Sequence, residues 1–233
     1  MSAFQVHIVT LVPTLWETIL GADGGLVGRA FTSGKAQLTI HNLRDYGKGV
    51  HRQVDDNPFG GGAGMVIGVE PLHKAVQAVR KSLDGPIYLL SPRGEPFAQP
   101  RAHNLAESRG FGLICGRYEG VDERIRDYID GDLSIGDMVL SGGDPAGWCM
   151  VDAVVRLLPG VLGNSESIRE ESFANNQLEY PHYTRPAEYE GKTVPDVLRS
   201  GNHKAIAQWR DQQSLAITRE NRPDLLDLSK KEG

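Results

Sequence analysis

Three glycine-bearing turns hold the residues of this chain that are best suited to chemistry: LLSPRGEPF (89–97), ICGRYEGVDER (114–124) and SIGDMVLSGGDPA (134–146). Each follows an apolar segment. A loop that cradles phosphate pairs its glycines with a lysine, whereas these turns contain acids and no lysine. Taken singly, each is readable as a tight turn that needs positive φ, with an acid capping the helix behind it. Asp144 before Pro145 suits such a cap, as do Glu119 and Asp122. Taken together, the turns suit a neutral or cationic ligand held largely by backbone N–H and C=O groups.

Other chemistries fail on spacing. A dinucleotide fingerprint needs G-x-G-x-x-G after a strand, but Gly62 and Gly64 are followed by Ile67 where the third glycine belongs. The tripeptide Gly191-Lys192-Thr193 resembles the end of a phosphate loop, but Pro186 stands at its first glycine. Neither H-E-x-x-H nor G-x-S-x-G occurs, which removes two common hydrolase classes. The seven histidines are scattered without paired spacing. No metal site is assigned on them.

The elements that must position the turns alternate between strand and helix patterns. QVHIVTLV (5–12), AQLTIHNL (36–43), GMVIGV (64–69), IYLLSP (87–92) and FGLICG (111–116) read as strands. Helical patterns follow from Pro13 to Leu20 and over 70–83, 100–108, 121–130 and 145–160, the last nearly all apolar and therefore expected to be buried on most sides. Such alternation implies an α/β fold with a parallel sheet covered on both faces. After Gly160 periodicity stops, and short amphipathic helices resume near 193. The expected organisation is a ligand-binding domain over 1–160, a connecting segment over 161–192 and a helical C-terminal domain over 193–233.

A net charge of -5 and a pI near 5.8 give no bulk electrostatic support for nucleic-acid binding, so any RNA contact must rest on local patches. The two cysteines, Cys115 and Cys149, lie in apolar runs and are expected to be buried thiols. The N-terminus lacks a signal-peptide pattern and no apolar run approaches about 18 residues. A cytoplasmic protein without membrane partners is the expectation.

The segments DDNPFGGGAGM (55–65), LICGRYEGVDERI (113–125), SIGDMVLSGGDPA (134–146), LPGVLGN (158–164) and PHYTRP (181–186) resemble, in order and spacing, the signatures of bacterial tRNA (guanine-N1)-methyltransferases. The resemblance spans nearly the whole chain. It implies a SPOUT-type parallel α/β domain with a deep trefoil knot, joined to a small all-helical C-terminal domain. It also implies a homodimer with shared active sites and S-adenosylmethionine as cofactor. The substrate would be the guanosine at tRNA position 37, 3′ of the anticodon. A divalent metal such as Mg²⁺ is left open.

By position, the resemblance assigns cofactor binding to Leu90, Ser91, Pro92 and Gly94, then to Gly116, Arg117, Tyr118, Glu119 and Gly120. The third set is Ile135, Gly136, Asp137, Met138, Val139, Leu140, Ser141, Gly142 and Gly143. Methyl transfer from a sulfonium to guanine N1 is an in-line displacement that depends on positioning. N1 carries a proton at neutral pH, so a general base must take it, and charge developing toward O6 must be met by a cation or donor. The family's base is an aspartate before Ser-Phe; here the matching residue is Glu171, with Glu170 beside it. Arg156 matches the arginine that steadies the guanine, and it is also an i,i+4 partner for Asp152. Candidate RNA contacts are Arg44, Lys48, His51 and Arg52, then His182, Tyr183 and Arg185, then Lys204, Trp209 and Arg210. Two alternatives are a SPOUT methyltransferase with another RNA target and a catalytically silent RNA-binding protein that keeps the cofactor pocket.

Overall fold

A computed structural model describes residues 3–19, 24–163 and 171–228. Its elements are β1 (Phe4–Thr10), α1 (Pro13–Ile19), α2 (Gly25–Thr32), β2 (Ala36–Asn42), β3 (Asp55–Asp56), β4 (Val66–Ile67), α3 (Val69–Arg80), β5 (Ile87–Pro96), α4 (Gln99–Ala106), β6 (Gly110–Cys115), β7 (Gly131–Ser134), α5 (Asp144–Val155), β8 (Glu188–Tyr189), β9 (Lys192–Thr193), α6 (Asp196–Arg199), α7 (His203–Asn221) and α8 (Pro223–Leu228). Short 3-10 turns occupy Leu43–Tyr46 and Glu123–Tyr128. The chain divides into two compact units, Met1–Gly163 and Asn164–Gly233.

The first unit is built on a five-stranded sheet in the order β2-β1-β6-β5-β7, with every neighbouring pair parallel. The sequences of β1 and β6 are near-continuous apolar runs, and all six residues of β6 are buried. A strand covered on both faces requires this pattern. On one face Val6, Ile8, Phe111 and Leu113 pack with Trp16, Ala30, Met150 and Val154. On the other, Val9, Ile87 and Ile114 meet Leu72, Val76 and Val79 of α3 and Ile125. The α/β expectation with a central parallel sheet holds.

Strand β5 departs from regular pairing where the site begins. Leu133 of β7 faces both Leu90 and Glu95, so the residues between them bulge out of the ladder. Gly94 lies in that bulge, and a Cβ there would come within 2.5 Å of the Leu133 backbone nitrogen. Only glycine permits that approach.

Several local expectations are corrected. The 64–69 strand shrinks to Val66–Ile67, which pairs antiparallel with β3 outside the main sheet. The reason is a competing set of bonds, in which Ile67 donates to Gly120 O and accepts from the Asp122 N–H. The 121–130 helix is a 3-10 turn whose start is capped by Asp122, accepting from Arg124 N. Helix α2 was not expected; two glycines at 25 and 28 weaken its pattern. Helix α5 is less enclosed than its composition suggests, because Pro145, Cys149 and Asp152 share an outward stripe at i, i+4, i+7 spacing. Cys149 is therefore exposed, and only Cys115 is buried.

In the second unit, β8 and β9 form a hairpin closed by Glu190 and Gly191, both at positive φ, as a two-residue reversal of this hand requires. The 19-residue α7 is capped by Asn202, which accepts from Ala205 N. Its buried Thr218 accepts the Leu178 N–H at 2.8 Å, tying the preceding irregular segment to the helix. Arg222 lies over the Phe173 ring.

Candidate functional site

The strands of a parallel sheet all end on one side, and loops from neighbouring carboxyl ends enclose a crevice there. The turns after Leu90, Cys115 and Ser134 do this around a cavity of about 390 Å³, within the size range of small-molecule sites. The turns interlock: the Gly143 N–H donates to Gly116 O at 2.8 Å, and a Cβ on Gly143 would lie 2.9 Å from Cys115 Cα. Backbone therefore packs on backbone where the second and third turns meet. Tyr118 stands at the cavity with φ of 60° while 48% exposed. A non-glycine residue held there costs energy that its surroundings must offset.

Of the residues assigned to the cofactor by resemblance, the cavity gathers Leu90, Ser91, Pro92, Gly116 to Gly120, Ile135, Gly136, Met138, Val139, Leu140, Gly142 and Gly143. Gly94, Asp137 and Ser141 are not in its lining; Gly94 instead allows the close crossing of β5 and β7. The lining adds Leu89, Arg93, Val121, Arg126, Leu133, Ser134 and Ala146. Arg93 and Val121 lie within the quoted turns and were within reach of a reading of the whole segments. Arg126 gave no sequence signal. It arrives through the 3-10 turn that replaces the expected helix.

Asp144 corrects a further expectation. It does not cap α5, whose N-cap is Gly143 with no side-chain bond. Its carboxylate turns inward, 1% exposed, and accepts from Thr10 Oγ1 at 2.5 Å, Trp16 Nε1 at 2.8 Å and Arg117 Nη2 at 3.3 Å. Arg126 pairs through Nε with Glu123 at 2.9 Å and through Nη2 with Asp132 at 2.8 Å. Burial raises the Asp132 carboxyl above its usual range, and the Arg126 charge pulls it back. Burial, reinforced by Asp144, pushes the Cys115 thiol well up, which keeps it a neutral packing group rather than a nucleophile. Arg117 Nε and Arg126 Nη1 are buried without a hydrogen-bond partner among the described residues. Two orphan donors on the residues lining a cavity are what a polar ligand would satisfy.

Arg156 directly follows α5 and is half-buried, with its backbone N–H donating to Asp152 O. Although Asp152 lies on the outward stripe, partial desolvation by its surroundings raises its carboxyl, and the Arg156 charge opposes that shift, as an i,i+4 neighbour should. Glu171 is half-buried and opens the described part of the second unit, its carbonyl accepting from Ala174 N. Glu170 lies outside the described residues. Among the RNA candidates, Arg44 and His51 are exposed, Lys48 pairs with Glu70 at 2.8 Å and Arg52 with Asp45 at 2.8 Å. In the second unit the Tyr183 and Trp209 rings meet at 6.3 Å, His182 bonds Glu179, and Arg185 and Lys204 are exposed. Arg210 is turned onto the Tyr180 ring at 4.7 Å. Among the described residues no cluster of three or more His, Cys, Asp or Glu is placed to hold a metal, and no helix is long and apolar enough to cross a membrane.

A family model described as tRNA (guanine-1)-methyltransferase TrmD matches residues 4–228. Proteins named tRNA (guanine-N(1)-)-methyltransferase are similar along almost the whole chain. One from Roseobacter denitrificans is 49% identical over 225 residues, covering 95% of this chain and 92% of that protein. Another from Brucella ovis is 49% identical over 227 residues, covering 95% and 91%. One from Brucella abortus strain 2308 is 49% identical, covering 95% and 90%.

Proposed function

Because the chain belongs to the tRNA (guanine-1)-methyltransferase family, we propose that it methylates N1 of guanosine in tRNA, at position 37, with S-adenosylmethionine as donor. The observation that carries this reading is the lysine-free cavity formed by three interlocked turns at the ends of parallel strands. The cavity residues fit the donor: the volume is adequate, glycine turns offer backbone groups to an adenosine, and two buried N–H donors await oxygen or nitrogen partners. When bound, S-adenosylmethionine supplies an electrophilic methyl group on a positively charged sulfur.

The chain's own residues supply the rest. Leu90 to Pro92, Gly116 to Gly120, Ile135, Gly136, Met138 to Leu140, Gly142 and Gly143 hold and orient the donor. The Glu171 carboxylate takes the N1 proton, and its extra methylene relative to aspartate shifts the reach of that group rather than its chemistry. The Arg156 guanidinium stabilises the charge that develops toward O6. Tyr118 and Tyr183 offer aromatic faces to an extruded base. Exposed Arg44, His51, Arg185 and Lys204 contact the phosphate backbone. We further propose that the chain beyond β7 is knotted through the β5–β6 region, a reading supported by the close crossings at Gly94 and Gly143. The working form is a homodimer with shared sites, acting in the cytoplasm.

The test is incubation with methyl-labelled S-adenosylmethionine and two tRNAs that differ only at position 37. Label should appear as 1-methylguanosine in the tRNA with guanosine there and vanish from its partner. Equal labelling of both would overturn the assignment.

A further inference from the structure

The cavity presents an electrostatic puzzle. Three arginines line it, Arg93, Arg117 and Arg126, against one carboxylate, Glu119. Like charges repel, so such a lining opposes a cation. The arginines are answered from behind the wall. Arg117 pairs with Asp144, whose side chain is 0% exposed, and Arg126 with Asp132, which is 12% exposed. Glu123 pairs with both Arg126 and Arg93. With these partners included, three cations face four carboxylates.

Resting on the donor assignment above, we propose that the wall pairs Arg117–Asp144 and Arg126–Asp132 tune the cavity to discriminate by charge, favouring the cationic sulfonium donor over the neutral thioether it becomes. Asp144 and Asp132 act through the arginines and are positioning and charge-setting residues. Asp144 carries the larger share. It is the more deeply buried of the two carboxylates, and its hydrogen bonds from Thr10 of β1 and Trp16 of α1 fix it where it meets Arg117. Partly buried pairs are screened by salt much less than exposed ones, so the preference persists in part at high ionic strength. Release of the spent product is a direct consequence: loss of the positive charge removes part of the attraction.

Calorimetric titration of S-adenosylmethionine and of S-adenosylhomocysteine tests this without any turnover. Asp144→Asn keeps an acceptor oxygen for Thr10 and Trp16 but removes the charge and the second oxygen, which Arg117 uses. It should lower the preference for the sulfonium over the thioether by about fivefold, the order of effect that one unit charge has across a partly screened cavity. Asp132→Asn, with Glu123 still on Arg126, should lower it by about twofold. Arg117→Gln should shift the preference the other way, leaving Asp144 unopposed, and Arg117→Gln/Asp144→Asn should return it close to wild type. A general loss of packing would weaken both ligands by one factor. Equal weakening across these variants, or an unchanged ratio, overturns the proposal. If the wild-type protein binds neither ligand, the donor assignment itself fails, and the proposal with it. Should Asp144→Asn not fold, Asp132→Asn and Arg117→Gln still decide the matter by the opposite signs of their shifts.

Discussion

The cavity wall and the 44–56 segment use the same residue types to different ends. Arg117 and Asp144 meet where the carboxylate is wholly buried, whereas Arg52 and Asp45 meet with side chains 64% and 57% exposed. At the surface an ion pair contributes little and its cation remains available to another anion. Inside, a pair cannot be opened without stranding a charge. The cavity pairs therefore fix geometry, and the surface pairs leave their cations available to another anion.

The sharpest way to break that contrast is to remove one buried partner outright. Asp144→Ala strands Arg117 and leaves the Thr10 hydroxyl and Trp16 N–H without their acceptor. It should cost about 3–5 kcal/mol of stability, read by denaturant unfolding; a cost below about 1 kcal/mol would place this pair with the surface ones. Gly143→Ala probes the same wall by volume. Its methyl would meet Cys115 Cα at 2.9 Å, and overpacking of that kind costs about 1–3 kcal/mol together with weaker S-adenosylmethionine binding. Wild-type affinity in that variant would show that the turns need not interlock.

A third probe uses pH. His7 is buried beside His41, and burial first, then the His41 charge, lowers its pKa to about 4. A depressed histidine favours folding while neutral, so this contribution is complete above the unfolded value near 6.5 and lost as pH falls toward 4. The thermal midpoint should decline across that window, and less steeply in His7→Asn. Smallest of all should be Asp45→Ala, within about 1 kcal/mol of wild type. This change frees Arg52 and should leave tRNA affinity equal or higher, measured by filter binding at two salt concentrations.

What could be read from the sequence was local. The continuous apolar runs of β1 and β6 and the three glycine turns announce themselves in adjacent residues, because a strand buried on both faces and a tight turn are each set by short stretches of chain. The sheet order is set by long-range pairing and has no such signature. The same reason hid Asp144. Its position before Pro145 fits a cap, but Thr10, Trp16 and Arg117 outcompete the helix end for the carboxylate, and they lie up to 134 residues away. Arg126 became a lining residue only because its segment forms a 3-10 turn. Cys149 departs from its expected burial for the opposite reason: its apolar neighbours mask a helical stripe shared with Pro145 and Asp152. For Glu171, two adjacent acids in a polar segment carry no physical mark of a base, and family resemblance alone singles it out.

On the proposed assignment, donor binding and proton removal fall to different residues, and Glu171→Ala tests that division most directly. Single-turnover methylation of tRNA should fall by about 10²–10⁴-fold while S-adenosylmethionine binds with wild-type affinity by calorimetry. Normal turnover in this variant would contradict the account.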